Sequence, residues 1–166
     1  ALDLFLKRSG KSMEHIVFLK DSLKSLPSGF LHTWPAGTPI TLASLAHLMI
    51  SQSDNTATDH LIDYVGKTYL EQQSPSSLIP FLSTREFFSL KWGTQTTLLR
   101  QQFIKGELDD KREVLNKLKA YSLDQVHPLT LPSYVDSLEW LVSSRDLCTV
   151  LFKMKNHPSL RINSGL

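Results

Sequence analysis

The sequence predicts a mostly α-helical protein. Apolar residues recur at helical spacing over 42–51 and again over 56–65, which is the period of an amphipathic helix and not of a strand. Two Ser/Thr-x-x-Glu patterns, at 68–71 and 83–86, are typical of helix N-termini. Few segments show the alternation of a half-buried strand. We therefore expect residues 1–166 to form a single all-α domain.

The first forty residues contain little clear periodicity. Residues 1–8 look like the end of a helix, whereas 14–24 mix apolar and charged residues so that helix and extended structure are both open. Proline and glycine in 26–30 and 34–39 indicate a loop. Thr41 then stands where an N-cap is needed for the first clear helix.

The two central helices have well-defined apolar sides. The first is expected to bury Leu42, Leu45, Ala46, Leu48 and Met49. The second is expected to bury Ala57, Leu61, Ile62 and Val65, and to end at Gly66.

Four further helices are expected. Two begin at the capping boxes Thr68–Glu71 and Ser83–Glu86, and a third covers 94–105 before Gly106. The fourth begins at Asp109, with Val114, Leu115 and Leu118 on its core side.

The C-terminal part is less regular. A proline-containing connection covers 122–133, and the segment 134–140 is too short to assign. Ser144 is expected to cap a last helix over about 145–156, which ends before Pro158.

Composition excludes several classes of function. The chain has 166 residues, 41% hydrophobic residues and a net charge of +2, so it gives no argument for a nucleic-acid or membrane partner. No apolar run approaches ~18 residues, so no membrane span is expected. The first residues lack a signal-peptide pattern, and we expect the chain to start within a domain.

Metal and redox chemistry are also not indicated. Six histidines show no His-Glu-x-x-His spacing, so we expect no metal site and no cofactor. Among them, His47 and His60 are expected to be exposed or packed. The single cysteine, Cys148, excludes an internal disulfide and is expected to be a buried, inert thiol.

The tripeptide Ser53-Asp54-Asn55 is the most informative motif. It lies between the two central helices, and chance would place it somewhere in such a composition with a probability of about 3%. One interpretation is structural, because each of these residues is a good N-cap. The other is catalytic, and the two are compatible.

The surrounding sequence favours the catalytic interpretation. Residues 48–62, Leu-Met-Ile-Ser-Gln-Ser-Asp-Asn-Thr-Ala-Thr-Asp-His-Leu-Ile, resemble the motif region of class A β-lactamases and related penicillin-recognising serine hydrolases. Residues 25–42, 80–88, 139–140 and 144–148 resemble neighbouring segments in an uncharacterised β-lactamase-related branch.

That resemblance implies a two-domain enzyme with its active site between a helical and an α/β domain. The family nucleophile lies in a Ser-x-x-Lys motif about sixty residues before the Ser-Asp-Asn serine, and a Lys-Thr/Ser-Gly strand follows later. This chain contains neither motif. We therefore expect it to be the helical domain, lacking the α/β sheet domain and the nucleophile.

The resemblance also implies a role for each motif residue. Ser53 would shuttle a proton to the leaving amine, and Asn55 would bind the substrate and help to fix the lysine of the nucleophile motif. Asp54 would accept backbone amides and support the turn. Trp34 would be a packing residue or would line a substrate cleft.

The chain departs from the class A pattern at the deacylating glutamate. No Glu-Pro-x-Leu-Asn element is present. Glu71 and Glu86 are more simply interpreted as capping residues, and Glu139 has no assigned role. A fast class A mechanism is therefore not expected, and the parent enzyme would be an esterase, a peptidase-like hydrolase or a slow β-lactamase.

Two functions follow from these observations. The first is a helical domain of a β-lactamase-like serine hydrolase, which acts on β-lactams, amides or esters together with the missing α/β domain. The second is a non-catalytic helical interaction module in which the motif only caps a helix. The resemblance alone implies a periplasmic or secreted location, and an exposed apolar face would favour homo-oligomers.

Overall fold

A computed structural model describes residues 1–127 and 133–156. Its helices are α1 (Leu2–Ser9), α2 (Leu42–Ser51), α3 (Asn55–Val65), α4 (Lys67–Gln73), α5 (Thr84–Trp92), α6 (Thr97–Lys105), α7 (Leu108–Leu118), α8 (Val135–Leu138) and α9 (Ser144–Met154). Its strands are β1 (Ile16–Phe18) and β2 (Pro39–Thr41). The prediction of a mostly helical protein is confirmed.

The two strands form a small antiparallel sheet. Val17 lies opposite Ile40 in the register, and Ile40 is buried while the side chains on either side of Val17 are exposed. The sequence left the conformation of residues 14–24 open, and three of them are extended. Their periodicity is too weak to predict a strand, and it is the pairing with β2 that stabilises the extended conformation.

Buried apolar side chains form two clusters, with α3 between them. The first cluster joins α1, α2 and α3 with both strands and consists of Leu6, Leu19, Leu31, Ile40, Leu42, Leu45, Ala46, Ala57 and Leu61. The second joins α5, α6, α7 and α8 and consists of Leu82, Phe87, Leu90, Phe103, Val114, Leu115, Leu118 and Leu138. Helix α3 also contacts α4 and α5, and it therefore connects the first cluster to the second.

Several helix boundaries agree with the sequence. The Thr41 hydroxyl accepts the Ser44 N–H at 3.1 Å, and Ser83 and Glu86 form the expected capping box at α5. Helix α3 ends at Gly66, whose φ of 86° favours glycine. Ile62 is half-buried rather than buried.

Other boundaries were predicted wrongly. Gly66 and not Thr68 precedes α4, because a single glycine ends α3 and begins the next helix. Helix α6 begins only at Thr97. Helix α7 begins at Leu108, where the preceding N–H donates to Asp110, and Ser143 rather than Ser144 caps α9.

The expectation of a buried thiol is also wrong. Cys148 is exposed, because α9 contributes no residue to either cluster. The apolar side of α9, which suggested burial in the sequence, remains open, with Leu147 52% exposed and Val150 50% exposed.

Among the described helices, none is long and apolar enough to cross a bilayer.

Candidate functional site

The turn between α2 and α3 exposes Ser53. Its φ of 52° lies in the left-handed region, a conformation shared within residues 1–127 and 133–156 by one other non-glycine residue, Tyr134. Such a conformation costs a side chain about 1 kcal/mol or more. Ser53 is exposed, and no hydrogen bond of its hydroxyl is found in the described part of the chain.

Asp54 is the N-cap of α3 and is fully buried, with 0% exposure. Its Oδ1 accepts the Ala57 N–H at 2.9 Å. Its Oδ2 accepts the N–H groups of Phe30 at 2.8 Å and Leu31 at 3.0 Å. One carboxylate therefore joins the start of α3 to residues 25–31, here called the clamp loop.

Gly29 allows the clamp loop to approach that carboxylate. A Cβ at this position would lie 2.2 Å from Asp54 Oδ2, and its φ is 75°. Both the space and the backbone conformation therefore require glycine.

Asn55 and Thr56 hold the other end of the clamp loop. Asn55 Nδ2 donates to the Leu26 carbonyl at 3.1 Å. The Thr56 hydroxyl accepts the Ser25 N–H at 3.2 Å. The turn between α2 and α3, here called the corner, is thus held in place by the three residues that follow Ser53.

An aromatic pair lies on the exposed side of the clamp loop. Phe30, whose N–H bonds to Asp54, is 42% exposed, and Trp34 is 36% exposed. Their ring centroids lie 5.8 Å apart. Trp34 is therefore a surface packing partner beside the corner and not a core residue.

A second buried carboxylate, Asp59, ties α3 to the start of α5. Asp59 is 2% exposed, and it accepts the N–H groups of Thr84 at 2.7 Å and Arg85 at 2.9 Å. Burial raises the pKa of Asp59 to about 6, although these backbone donors act in the opposite direction. Burial likewise lowers the pKa of Arg85, and the nearby Asp59 charge opposes that shift.

His60 connects α3 to Lys20, two residues after the end of β1. Its Nε2 lies 2.9 Å from the Lys20 backbone nitrogen and accepts that N–H. Its Nδ1 lies 2.8 Å from the Thr56 carbonyl and must therefore be the protonated nitrogen. Burial lowers the pKa of His60, so the neutral ring is the form that the fold uses.

We expect acid to weaken the His60 contact. Because its pKa is lowered on folding, its contribution to stability is complete above the unfolded value of about 6.5 and is lost as the pH falls below it. Replacing His60 by Ala is expected to cost about 2 kcal/mol at pH 7.5, since it leaves the Lys20 N–H without its acceptor. Urea unfolding from pH 7.5 to 5 should show that this cost shrinks with falling pH. A cost that grows on acidification would contradict this assignment, and the exposed His47→Ala variant is the control.

The three glutamates weighed as a deacylating residue, Glu71, Glu86 and Glu139, all form hydrogen bonds or ion pairs away from Ser53. Glu86 completes the α5 capping box and also pairs with Lys67. Glu71 is not a capping residue, which corrects that expectation, because it accepts the Phe81 N–H and pairs with Arg112. Glu139 pairs with Lys91.

The sequence did not identify Gly29, Asp59 and His60 as parts of the corner. Asp59 and His60 are polar residues on the buried side of α3, which also carries Ala57 and Leu61. Polar residues on an otherwise apolar helix side are the signal that could have found them, because such groups require buried partners.

The comparisons with known proteins relate the corner to one family. Residues 8–76 match the model of the Beta-lactamase enzyme family. Over this segment the chain is β-lactamase-like. The β-lactamase-like segment contains β1, β2, α2, α3 and α4 and therefore Ser53, Asp54 and Asn55, whereas Thr84 and Arg85 lie outside it.

A solved structure is also similar. A β-lactamase from Sphaerobacter thermophilus DSM 20745 matches with 33% sequence identity and a TM-score of 0.39, over 43% of this chain and 27% of that one. The chain thus spans about a quarter of the length of that protein. No curated protein matches.

Proposed function

We propose that this chain is the helical domain of a β-lactamase-like serine hydrolase and that Ser53 is its proton shuttle. The observation that carries the proposal is an exposed serine in the left-handed backbone region, on a turn that buried residues support from below. Unfavourable backbone conformations of this kind are concentrated at functional sites.

Helix capping does not account for Ser53. Asp54 is the N-cap of α3, and its side chain accepts the Ala57 N–H. A non-catalytic module would need that carboxylate but not a hydroxyl at the preceding position, where glycine is the least strained residue. The interaction-module alternative therefore explains Asp54 and leaves Ser53 unexplained.

The proposed chemistry suits a hydroxyl. An amide or lactam nitrogen leaves poorly unless it is protonated, and a hydroxyl can donate one proton while it accepts another. Ser53 would pass a proton to that nitrogen during acylation of a serine in the remainder of the enzyme. This division of labour requires the α/β domain, which we propose as the partner of the chain.

Asn55 would act as an acceptor beside Ser53. Its Nδ2 already donates to the Leu26 carbonyl, which directs the carboxamide and leaves Oδ1 to accept a substrate N–H or a lysine ammonium. Asp54 would have no contact with the substrate, because its carboxylate is fully buried by three backbone donors. From the resemblance alone, we propose a periplasmic or secreted location.

The test uses the complete enzyme and two kinds of substrate. Ser53→Ala should lower kcat/KM for a β-lactam or anilide by about 100-fold or more, because general acid catalysis supplies 10²–10⁴-fold. For an ester with an activated phenol leaving group the loss should stay below about 10-fold, since that oxygen leaves without a proton. Gln52→Ala, at the neighbouring exposed position, is the control.

Equal losses on both substrates would refute a proton shuttle and indicate a general role in the architecture of the site. Unchanged kinetics on both would refute a catalytic role for Ser53 and leave the motif with helix capping alone. Circular dichroism and thermal unfolding of each variant separate these results from loss of the fold.

Ser53→Gly should increase stability while it removes activity. Glycine adopts a φ of 52° without the steric cost of a Cβ, so the free energy of unfolding should rise by about 0.5–1 kcal/mol. Urea unfolding of the isolated chain measures this effect, with Gln52→Gly as the control at a position of negative φ. A destabilised Ser53→Gly variant would show that the serine side chain supports the fold.

A further inference from the structure

The hydroxyl of Thr84 bonds to residues that lie far from it in the sequence. Thr84 is the first residue of α5, yet that helix is capped by Ser83, whose side chain accepts the Glu86 N–H. The Thr84 N–H donates to Asp59. The local hydrogen bonds at the start of α5 are therefore made without the Thr84 hydroxyl, which serves more distant contacts.

The bonds of this hydroxyl form a chain with a fixed direction. Thr84 Oγ1 lies 3.3 Å from the Asn55 carbonyl, which can only accept, so Thr84 is the donor of this bond. Thr84 Oγ1 also lies 2.7 Å from Ser25 Oγ. Because a hydroxyl has a single proton, Ser25 must donate to Thr84. The direction is therefore from Ser25 to Thr84 and from Thr84 to Asn55.

Both partners of Thr84 determine where the Asn55 carboxamide lies. One partner is the main chain of Asn55 itself. The other is Ser25 of the clamp loop, and the next residue, Leu26, accepts the Asn55 Nδ2 hydrogen at 3.1 Å. The Thr84 hydroxyl thus holds the backbone of Asn55 and, through Ser25, the loop that holds the side chain of Asn55.

These bonds are shielded from water. Ser25 is 3% exposed and Thr84 is 5% exposed. Loss of the Thr84 hydroxyl would leave the Ser25 proton without its acceptor in a buried position, which is unfavourable. A change at Thr84 is therefore expected to move the clamp loop and, with it, the Leu26 carbonyl.

We propose that Thr84 is a positioning residue for Asn55 and that its hydroxyl sets the direction of the Asn55 carboxamide. Thr84 lies outside the β-lactamase-like segment 8–76, so the start of α5 controls a motif residue within that segment. The consequence for substrate binding rests on the proposed function, in which Asn55 Oδ1 accepts a substrate N–H or a lysine ammonium.

Nuclear magnetic resonance of the 166-residue chain tests the positioning without a substrate. Thr84→Val keeps the volume and the backbone N–H of Thr84 but removes its hydroxyl. We expect it to shift the side-chain NH2 resonances of Asn55 by more than their line width, because the donor to the Leu26 carbonyl changes its surroundings. Thr84→Ser retains the hydroxyl and should leave these resonances close to their wild-type positions.

A matched control separates positioning from loss of a buried hydroxyl in general. Thr96 is 2% exposed, and its hydroxyl donates to the Ser89 carbonyl at 2.6 Å, near the other end of α5. Thr96→Val should leave the Asn55 resonances unchanged. Unshifted Asn55 resonances in Thr84→Val, or equal shifts in Thr84→Ser or Thr96→Val, would overturn the proposal.

Ser25→Ala gives a second test in case Thr84→Val does not fold. It removes the other end of the same hydrogen bond and leaves no buried proton without an acceptor. The same Asn55 resonances should shift, because the clamp loop loses its bond to α5. Unshifted resonances in this variant would also overturn the proposal.

Kinetics of the complete enzyme test whether Thr84 acts through Asn55. With a β-lactam or anilide substrate, Thr84→Val should lower kcat/KM by about tenfold, as expected for one hydrogen bond. In an Asn55→Ala background the same substitution should cost less than about twofold, since the group that it positions is gone. Equal losses in the two backgrounds would overturn the proposal.

The two experiments separate the role of Thr84 from the proposed function. If Asn55→Ala alone leaves kcat/KM unchanged, the proposed binding role of Asn55 is refuted. The resonances of Asn55 then decide by themselves whether Thr84 positions its side chain. If Asn55→Ala lowers kcat/KM but Thr84→Val neither lowers it nor shifts the resonances, the proposed function stands and the positioning role of Thr84 is refuted.

Discussion

Replacing Asp54 by Ala is expected to be the most damaging single change at the corner, with a loss of about 4 kcal/mol of stability. The variant removes the N-cap of α3 and, at the same time, the acceptor of the Phe30 and Leu31 N–H groups. Since these donors are buried or partly buried, water replaces the lost acceptor poorly. Urea unfolding at pH 7.5 measures the loss, and the midpoint temperature should fall by roughly 10 °C.

Two further variants sharpen this test. Asp54→Asn keeps the volume but can present an NH2 group to the clamp loop donors, so it should recover less than about half of the loss. Gly29→Ala should be similarly harmful although it leaves the carboxylate in place, because its Cβ would meet Asp54 Oδ2. Ser53→Ala, at the adjacent exposed position, should change stability by less than about 0.5 kcal/mol. A mild effect of Asp54→Ala would contradict the role of the carboxylate as a link between two segments.

The parts of the fold that the sequence predicted are those determined locally. Helices α2 and α3 follow from their apolar period, and the Thr41 cap and the Ser83–Glu86 box follow from hydrogen bonds within one turn. The ends of α3 were also predictable, because Asp54 and Gly66 act on their own helix.

What the sequence did not predict depends on distant contacts. Glu71 lies in a capping pattern, yet it bonds to Phe81 ten residues later and to Arg112 on another helix. Cys148 lies in an apolar stripe, yet no described segment covers that stripe. A local pattern states which side of a helix is apolar but does not supply the surface that buries it.

The same distinction applies to the candidate site. The three residues of the motif were identifiable because they are contiguous. The hydrogen bonds that support them join positions 25–31 to 54–56, and position 59 to 84–85. The individual residue types therefore gave no indication of their partners. The buried polar side of α3 was the available signal, since Asp59 and His60 occupy positions that an ordinary amphipathic helix gives to apolar residues.

Replacing Asp59 by Asn is expected to have an effect that depends strongly on pH. The pKa of Asp59 is raised from 3.8 to about 6 by burial, so between these values the folded chain binds more protons than the unfolded chain. The contribution of protonated Asp59 to the free energy of unfolding is therefore present at low pH and is lost as the pH rises through about 6. Since one pKa unit corresponds to about 1.4 kcal/mol, the full difference is about 3 kcal/mol.

The carboxamide of the Asp59→Asn variant cannot gain a proton in this range, so the variant lacks this dependence. The cost of the substitution should be about 2 kcal/mol larger at pH 4.5 than at pH 7.5, when urea unfolding of both chains is compared at each pH. His60 changes stability in the opposite direction over part of this range, but its contribution is common to both chains and cancels in the difference. Asp63→Asn, which alters an exposed pair with Lys20 on the same helix side as His60, is the control and should show a small and nearly constant cost. If the cost of Asp59→Asn is larger at pH 7.5 instead, the buried carboxylate is stabilised by the Thr84 and Arg85 N–H groups more than it is destabilised by burial, and the direction assigned to its pKa is wrong.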